Sequence, residues 1–300
     1  MRHLFFTAVL AATLCSSCSE AQTTPNADQS ATDSGQQGGK KEKKGKKKKG
    51  GDIANLTKVA RLDNVPESSG LALADQPGTF YTHGDDGNPA ILYKISATTG
   101  QILSQIDVPV KSRDWESITR DNSGNVYIGD VGNNNNDRQN LVIHRLNPLN
   151  PQIVQEINLK YPDQREFPPQ KDERNFDCEA TLWHEGQVYL FTKDRAREQT
   201  SKVYTVPDQA GSYTAKLLTK LAIPGQVTDA ALSPDGRRLV LLARQEMFVF
   251  EGSSLAEILR ATPRRISLKG AGQTEGAVFT SNQTLYISSE QGDLYQYLFE

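Results

Sequence analysis

Five short runs in this chain each bring an acidic residue together with small and apolar ones: Glu67-Ser68-Ser69-Gly70-Leu71, Asp114-Trp115-Glu116-Ser117-Ile118, Asp177-Cys178-Glu179-Ala180-Thr181, Thr228-Asp229-Ala230-Ala231 and Thr274-Glu275-Gly276-Ala277-Val278. If the fold gathers Glu67, Glu116, Glu179, Asp229 and Glu275 about one axis, their carboxylates repel, and a bound cation is the simplest relief. Several hard oxygen ligands suit calcium, which takes about 6 to 8 of them, better than zinc, which favours His and Cys. Calcium (Ca2+) is therefore the expected cofactor. The alternative use of such acids is structural, as acceptors for neighbouring backbone amides or partners of inward-pointing arginines.

The elements that must position these acids recur with them, at a period of about 50 residues that indicates stacked or radial units. Roughly ten residues after each acid comes a β-branched or aromatic run (TFYTH, NVYIGD, QVYLFT, RRLVLLA, QTLYISS), and then a third (AILYKI, LVIHRL, SKVYTV, MFVFEG, DLYQYLF). Four copies add a fourth run: QILSQIDV, QEINLKY, AKLLTKLAI and RRISLKG. The fifth lacks one, and residues 53–62 (IANLTKVARL), which alternate apolar and polar, supply it from the other end of the chain. The expected fold is all-β, a five-bladed β-propeller closed by an N-terminal strand that completes the last blade and protects the sheet edges. A six-bladed ring would need a hidden blade in the 63 residues between Glu116 and Glu179. There the stretch PDQREFPPQKDERNF is charged and Pro-rich and reads as a long loop, since Pro168-Pro169 cannot occupy a central strand.

First strands of the blades line the channel of a propeller, so the ends of the second strands approach one mouth. The polar groups expected there are His83, Asp85 and Asp86; Asp130, Asn133 and Arg138; Lys193, Asp194 and Arg195; Arg244; and Glu290. Convergent polar groups beside an ion mark a ligand site. The Asp85-Asp86-Gly87-Asn88 and Asn133 to Asn136 segments also have the composition of turns. Trp115 and Trp183 read as packing residues, His144 and His184 as structural, and Cys178 as a core thiol. HExxH, GxSxG, P-loop and GxGxxG patterns are absent, although a propeller enzyme assembles its site from several blades and needs no linear motif.

The chain has 300 residues and a net charge of -2 that hides an uneven distribution. Residues 1–52 hold 9 basic and 5 acidic side chains, against 25 and 31 in the remainder, so an acidic domain follows a basic segment. An acidic core excludes a nucleic-acid partner, which requires a basic face. Arg2 precedes an apolar run from Leu4 to Leu14, as long as an export signal's core and short of the ~20 residues of a membrane-spanning helix. Residues 1–18 thus read as a lipoprotein-type signal ending at Cys18, the expected acylated residue, with plain cleavage and release as the alternative. Residues 19–52 read as a disordered tether whose eight lysines within 40–49 favour an extended chain and anionic membrane surfaces. The expected location is the bacterial cell envelope, lipid-anchored, with a secreted or periplasmic protein as the alternative and a monomer as the expected state.

ESSGL, DWESI followed by YIGDVGNN and Arg138, CEATLW and TEGAVF together resemble bacterial secreted β-propeller proteins of the phytase-like and SdiA-regulated type, over residues 53–300. The blade pattern is also similar to calcium-activated nucleotidases of the apyrase type, five-bladed propellers whose tunnel calcium is held by Glu and Ser of the inner strands. That resemblance implies Glu116, Glu179 and Glu275 as the family's glutamates and Ser69 as a ligating serine. Asp229 stands where another serine is expected, and Glu67 lies two residues off the ligand position. It further implies that Asp85, Asp86, Lys193, Arg195 and Arg244 resemble a phosphate-handling set. The function expected from the whole is a calcium-centred mouth binding a phosphorylated or polyhydroxylated ligand, a glycan included. The alternative is a metal-dependent phosphoester or nucleotide hydrolase in which Lys193, Arg195 and Arg244 offset developing charge and Asp85 or Asp130 positions water.

Overall fold

The computed structural model describes residues 55–300. Cys18 and the Lys-rich segment lie outside the described residues. Within these, the third run of each repeat pairs with the second and the second with the first, giving five antiparallel sheets. Strand β1 (Leu56–Arg61) stands apart from the first of them. Blade one is β2 (Ala72–Leu73), β3 (Thr79–His83), β4 (Ile91–Ser96) and β5 (Ile102–Asp107). Blade two is β6 (Trp115–Arg120), β7 (Val126–Asp130), β8 (Leu141–Asn147) and β9 (Asn150–Lys160). In blade three, β10 (Asp177–His184), β11 (Gln187–Lys193) and β12 (Thr200–Pro207) are followed by β13 (Gly211–Thr214) and β14 (Lys216–Ala222). Blade four holds β15 (Val227–Leu232), β16 (Arg238–Ala243) and β17 (Glu246–Glu251), then the one-turn helix α1 (Leu255–Ile258) and β18 (Arg264–Ser267). Blade five is β19 (Thr274–Phe279), β20 (Thr284–Ser289) and β21 (Asp293–Leu298).

The fold is the expected five-bladed propeller, and β1 pairs antiparallel with β21 to complete the last blade. Residues 161–176 form no strand; they close onto blade three through Lys202 on Asp163 at 2.8 Å and onto the 133–136 turn through Gln164. One pairing is not foreseen by the repeat. β13 leaves its own blade and adds in parallel to β9 of blade two, stitching the two together.

Burial follows the order of strands. Inner and second strands such as WESITR and VYIGD are buried almost throughout, their polar residues included, whereas outer strands such as ILSQID are largely open to water. Five apolar clusters fill the spaces between neighbouring blades, for example Leu182, Phe191 and Val203 of blade three against Leu239, Leu241 and Phe248 of blade four. Stability therefore resides between sheets, and the axis is left free for polar groups.

The inner strands share one irregularity that sets up the site. Register against the second strand slips between Trp115 and Ser117, Cys178 and Ala180, Val227 and Asp229, and Thr274 and Gly276. The residues left over in these bulges are Glu116, Glu179, Thr228 and Glu275. A bulge re-aims its extra side chain, and here it does so at the same height in four blades.

Candidate functional site

This register corrects the expected ring of five acids. Glu116, Glu179 and Glu275 occupy equivalent bulges, but in blade four the equivalent residue is Thr228, whose hydroxyl donates to the Thr274 carbonyl at 2.7 Å. Asp229 falls one residue further in, fully buried, and its carboxylate accepts the amides of Ala230 at 2.8 Å and Ala277 at 2.6 Å, with Leu71 a further amide partner. It thereby ties the inner strands of blades four, five and one together at the axis. Burial drives its pKa well above the ordinary range, opposed by those amides. In blade one, Ser69 takes the bulge-level place, its amide donating to the His83 carbonyl, while Glu67 sits at the exposed rim with positive φ.

A cavity of about 180 Å³ opens at this end of the channel. Its walls contain Glu67, Ser69, Asp85, Glu116, Glu179, Lys193, Arg195, Arg244, Glu275 and Glu290, so ten of the residues expected at the mouth or as ion ligands do meet there. They are not equivalent in charge state or freedom. Glu179 is saturated: Lys193 Nζ donates to one oxygen at 2.7 Å and Arg195 Nη2 to the other at 2.8 Å. Arg195 also pairs through Nε with Asp177 at 2.5 Å and contacts Asn134. Burial alone would pull the Lys193 ammonium down, but Glu179 outweighs it and leaves the group above its ordinary pKa. Glu275 accepts from Gln273 at 2.6 Å. Burial raises its carboxyl, opposed by Lys193. Arg244 and Glu290 are exposed, and Arg244 has no ion pair among the described residues.

Glu116 differs from the other two glutamates. It is only 6% exposed and receives no amide hydrogen bond or basic partner among the described residues; its hydrogen-bonding neighbour is the Asp114 carboxyl. Asp85, Asp114 and Glu116 each present a carboxylate oxygen, all within 4.8 Å of one another. One oxygen of Asp114, Oδ1, is buried without a partner. Asp114 reaches this position because Gly132 lies opposite: a Cβ on Gly132 would overlap the Asp114 carboxylate. Burial, then the charge of Asp177, pushes the Asp114 carboxyl up to about 6. Burial and the surrounding acids, Glu179 and Asp85 first, push Glu116 well up as well. Asp85 is also raised, by burial and by Glu67 and Asp86. The acidic character therefore concentrates off the axis, between blades one and two. Asp114 is the member that sequence reasoning missed, although its place two residues before the bulged glutamate was the signal available.

The remaining expected mouth residues lie elsewhere, each for a definite reason. His83 is fully buried against Trp115, its Nδ1 on the Gly84 carbonyl, and burial drives its pKa down to about 4. Asp86 points to solvent and its amide donates to Asp85. Asp130 is wholly buried and accepts the amides of Arg113 at 3.1 Å and Asp114 at 3.2 Å, besides Arg138 Nη2 at 2.7 Å. Burial would raise its carboxyl, but His144, Arg138 and the Arg113 amide together hold it below the usual carboxylate range. Arg138 spends its remaining donors on the carbonyls of Gly132 and Asp130 and lies 3.8 Å from Asp114. Asn133 bridges Asp177, Phe176 and Arg138. Asp194 accepts the amides of residues 196, 197, 199 and 200 and shapes a turn. Asp130, Asn133 and Arg138 thus hold the Arg113–Asp114 backbone and the 132–138 loop behind the acidic cluster; they do not line it.

The class defined by this geometry is a five-bladed β-propeller with a charged pocket at one mouth of its channel. No family model matches the chain, and no curated protein matches it. Solved structures similar to it include the PQQ-bound aldose sugar dehydrogenase of Streptomyces coelicolor, at 10% identity and TM-score 0.48 over 82% of this chain and 98% of that one. Catalytically inactive virginiamycin B lyase from Staphylococcus aureus with quinupristin matches at 12% identity and TM-score 0.41, over 78% of this chain and 67% of that one. A chain of the mitotic checkpoint complex matches at 10% identity and TM-score 0.40; 78% of this chain aligns, covering 62% of that longer one.

Proposed function

We propose that this protein binds a divalent cation of the calcium type between Asp85, Asp114 and Glu116, and uses it to hold a phosphorylated or polyhydroxylated ligand at the charged mouth. The observation that carries this reading is Glu116, a buried carboxyl that meets no base or amide among the described residues and has another acid, Asp114, as its hydrogen-bonding neighbour, with Asp85 close by and one Asp114 oxygen buried without a partner. Two oxygens on one calcium at 2.3 to 2.6 Å can lie at most about 5 Å apart, which the trio satisfies. Carboxylates alone favour calcium over softer-ligand metals. Ser69, on the same wall, would add a hydroxyl. Across the pocket, Arg244 is free to meet an anion, while Lys193 and Arg195 contribute positive field but are already committed to Glu179 and Asp177. The leader ending at Cys18 and the lysines that follow support export and lipid anchoring at the cell envelope.

A second reading, a metal-dependent phosphoester hydrolase, is favoured by the unpaired Arg244 on the pocket that holds Asp85. In it Asp85 positions the attacking water and Arg244 offsets charge on the leaving phosphate; Asp130, sealed behind the cluster, is not available for that part.

Calorimetric titration and melting with calcium test the first reading. Calcium should raise the melting temperature of the wild-type protein, and Glu116→Gln should weaken calcium binding by roughly a hundredfold or more while raising the metal-free melting temperature, because the cost of burying an acid among other acids is gone. A wild-type melt indifferent to calcium removes the reading. Phosphate release from nucleotides and inositol phosphates, with and without chelator, separates the two: turnover lost with chelator and with Arg244→Ala supports the hydrolase.

A further inference from the structure

The same five inner strands end at a second, larger opening. A cavity of about 600 Å³ is lined by the last residues of β2, β6, β10, β15 and β19, and it shares no residue with the acidic pocket. Its walls are about equally polar and apolar, the apolar share coming from residues such as Leu71, Ile118, Leu182, Leu232, Val278 and Phe279. This size is that of small-molecule sites, which run from about 300 to 1,000 Å³.

Four ionisable side chains border it, and three have other commitments. Asp121 accepts the amides of Ser123 and Asn125, the Asn125 side chain and the Tyr127 hydroxyl, so its carboxylate is spent within its own turn. Glu185 has a side chain 84% exposed to water and lies 3.8 Å from His184, which pairs these two with each other. Arg120 has no such outlet. Its guanidinium takes part in no hydrogen bond or ion pair with any described residue, and its Nε is buried without a partner. It lies against the 121–124 turn, where a Cβ on Gly124 would come within 3.2 Å of Nη2. An unpaired, partly buried guanidinium is costly unless an acceptor arrives, and its planar fork suits a carboxylate or sulfonate.

We propose that this mouth binds an amphipathic anion, a small molecule with a carboxylate or sulfonate at one end and an apolar body at the other. The acid group meets Arg120, and the body lies on the floor made by Leu71, Ile118, Leu232 and Val278. Charge complementarity and the apolar floor select together, so neither a neutral hydrophobe nor a polar anion meets both halves of the site. The site is separate from the cation at the opposite mouth, because the two openings share no residue, and the hydroxyls of Ser68, Thr82 and Ser288, the Ser117–Thr181 pair and Asp229 form buried hydrogen bonds among the strands.

Fluorescence titration with anilinonaphthalene sulfonate, the neutral N-phenylnaphthylamine serving as its uncharged counterpart, tests this on the purified protein. The sulfonate should bind saturably and tighter than the neutral probe, and decanoate should displace it where decanol does so weakly. Arg120→Leu should weaken sulfonate binding about tenfold or more, the size expected for a lost charge-assisted contact, with the neutral probe unaffected and Arg120→Lys, which keeps the charge without the planar fork, falling between the two. Chelator should change nothing. Equal affinity for the two probes overturns the proposal, as does unchanged binding in a folded Arg120→Leu protein, dependence on calcium, or loss of binding in Arg244→Ala. Should Arg120→Leu fail to fold, the decanoate and decanol comparison on the wild type decides.

Discussion

The two mouths of the channel are built by opposite ends of the same five strands, yet nine ionisable side chains line one and only four the other. The difference is made by one backbone event. At the end where the strands begin, the bulges at residues 116, 179, 228 and 275 turn a side chain toward the axis that a regular strand would place between blades. At the end where they finish, the pairing is regular, and the residues that face the opening are the same kinds that pack between sheets. Even within the charged mouth, identical glutamates in equivalent bulges have different fates. Glu179 is neutralised by Lys193 and Arg195, Glu275 is steadied by Gln273, and Glu116 is left with two other acids. The symmetry of the backbone sets where a group stands, and its neighbours from the second strands decide what it can do.

Removing what separates the mouths should have the largest effect. Asp229→Ala leaves buried amides of Ala230 and Ala277 without an acceptor, and at ~1–3 kcal/mol for each stranded group the loss is about 3 kcal/mol of stability. For a domain of this size that is a fall in melting temperature of roughly 6–12 °C, read by calorimetry. If the substitution costs nothing, the axis is not tied at this point, and the independence of the two mouths loses its structural reason.

A smaller effect should be confined to the charged mouth. Arg138 is not itself a ligand, but it holds Gly132 and Asp130 and lies 3.8 Å from the proposed ligand Asp114. Outer partners of this sort are worth about tenfold or more in metal affinity. Arg138→Ala should therefore weaken calcium binding by about tenfold in a titration and leave sulfonate binding at the opposite mouth unchanged. A role in the fold alone would lower stability with both affinities preserved, and that result would reassign the residue.

The blades were readable from sequence because each repeats a buried run, a second buried run and an alternating outer one, and because residues 53–62 supply the strand that the fifth copy lacks. Glu116, Glu179 and Glu275 were readable because each stands in the same repeated run of an acid with small and apolar residues. Asp229 was misplaced by one position for a physical reason: spacing in sequence does not reveal which residue of Thr228-Asp229 the slip in register leaves over. Asp114 escaped because its place depends on Gly132, far along the chain, having no Cβ. The pairing of Glu179 with Lys193 and Arg195 was likewise hidden, since both cations read as ligand-facing until distances show them spent. The apolar mouth gave no signal at all, its residues being indistinguishable by type from those between blades, and β13 gave none because a four-residue edge pairing needs only an open neighbour.

The smallest expected effect is a slope with pH. Asp114 titrates at about 6 in the folded protein, against an ordinary value of 3.8, so the folded state holds its proton more tightly than the unfolded chain does. Between those values the folded protein binds the extra proton, which makes stability greatest below the lower one and lost as pH rises through the upper. Glu116 and Asp85 shift in the same direction and add to the slope. Because Asp114 borders solvent, water screens part of the repulsion, and its share amounts to about 1 kcal/mol, or roughly 2–4 °C. Melting without calcium should thus occur lower at pH 7 than at pH 5. Saturating calcium should flatten or reverse that slope, since the ion favours the ionised carboxylates, whereas a ligand at the apolar mouth should raise both melts equally. A slope that calcium leaves unaltered would mean the ion, if bound, sits away from these three acids.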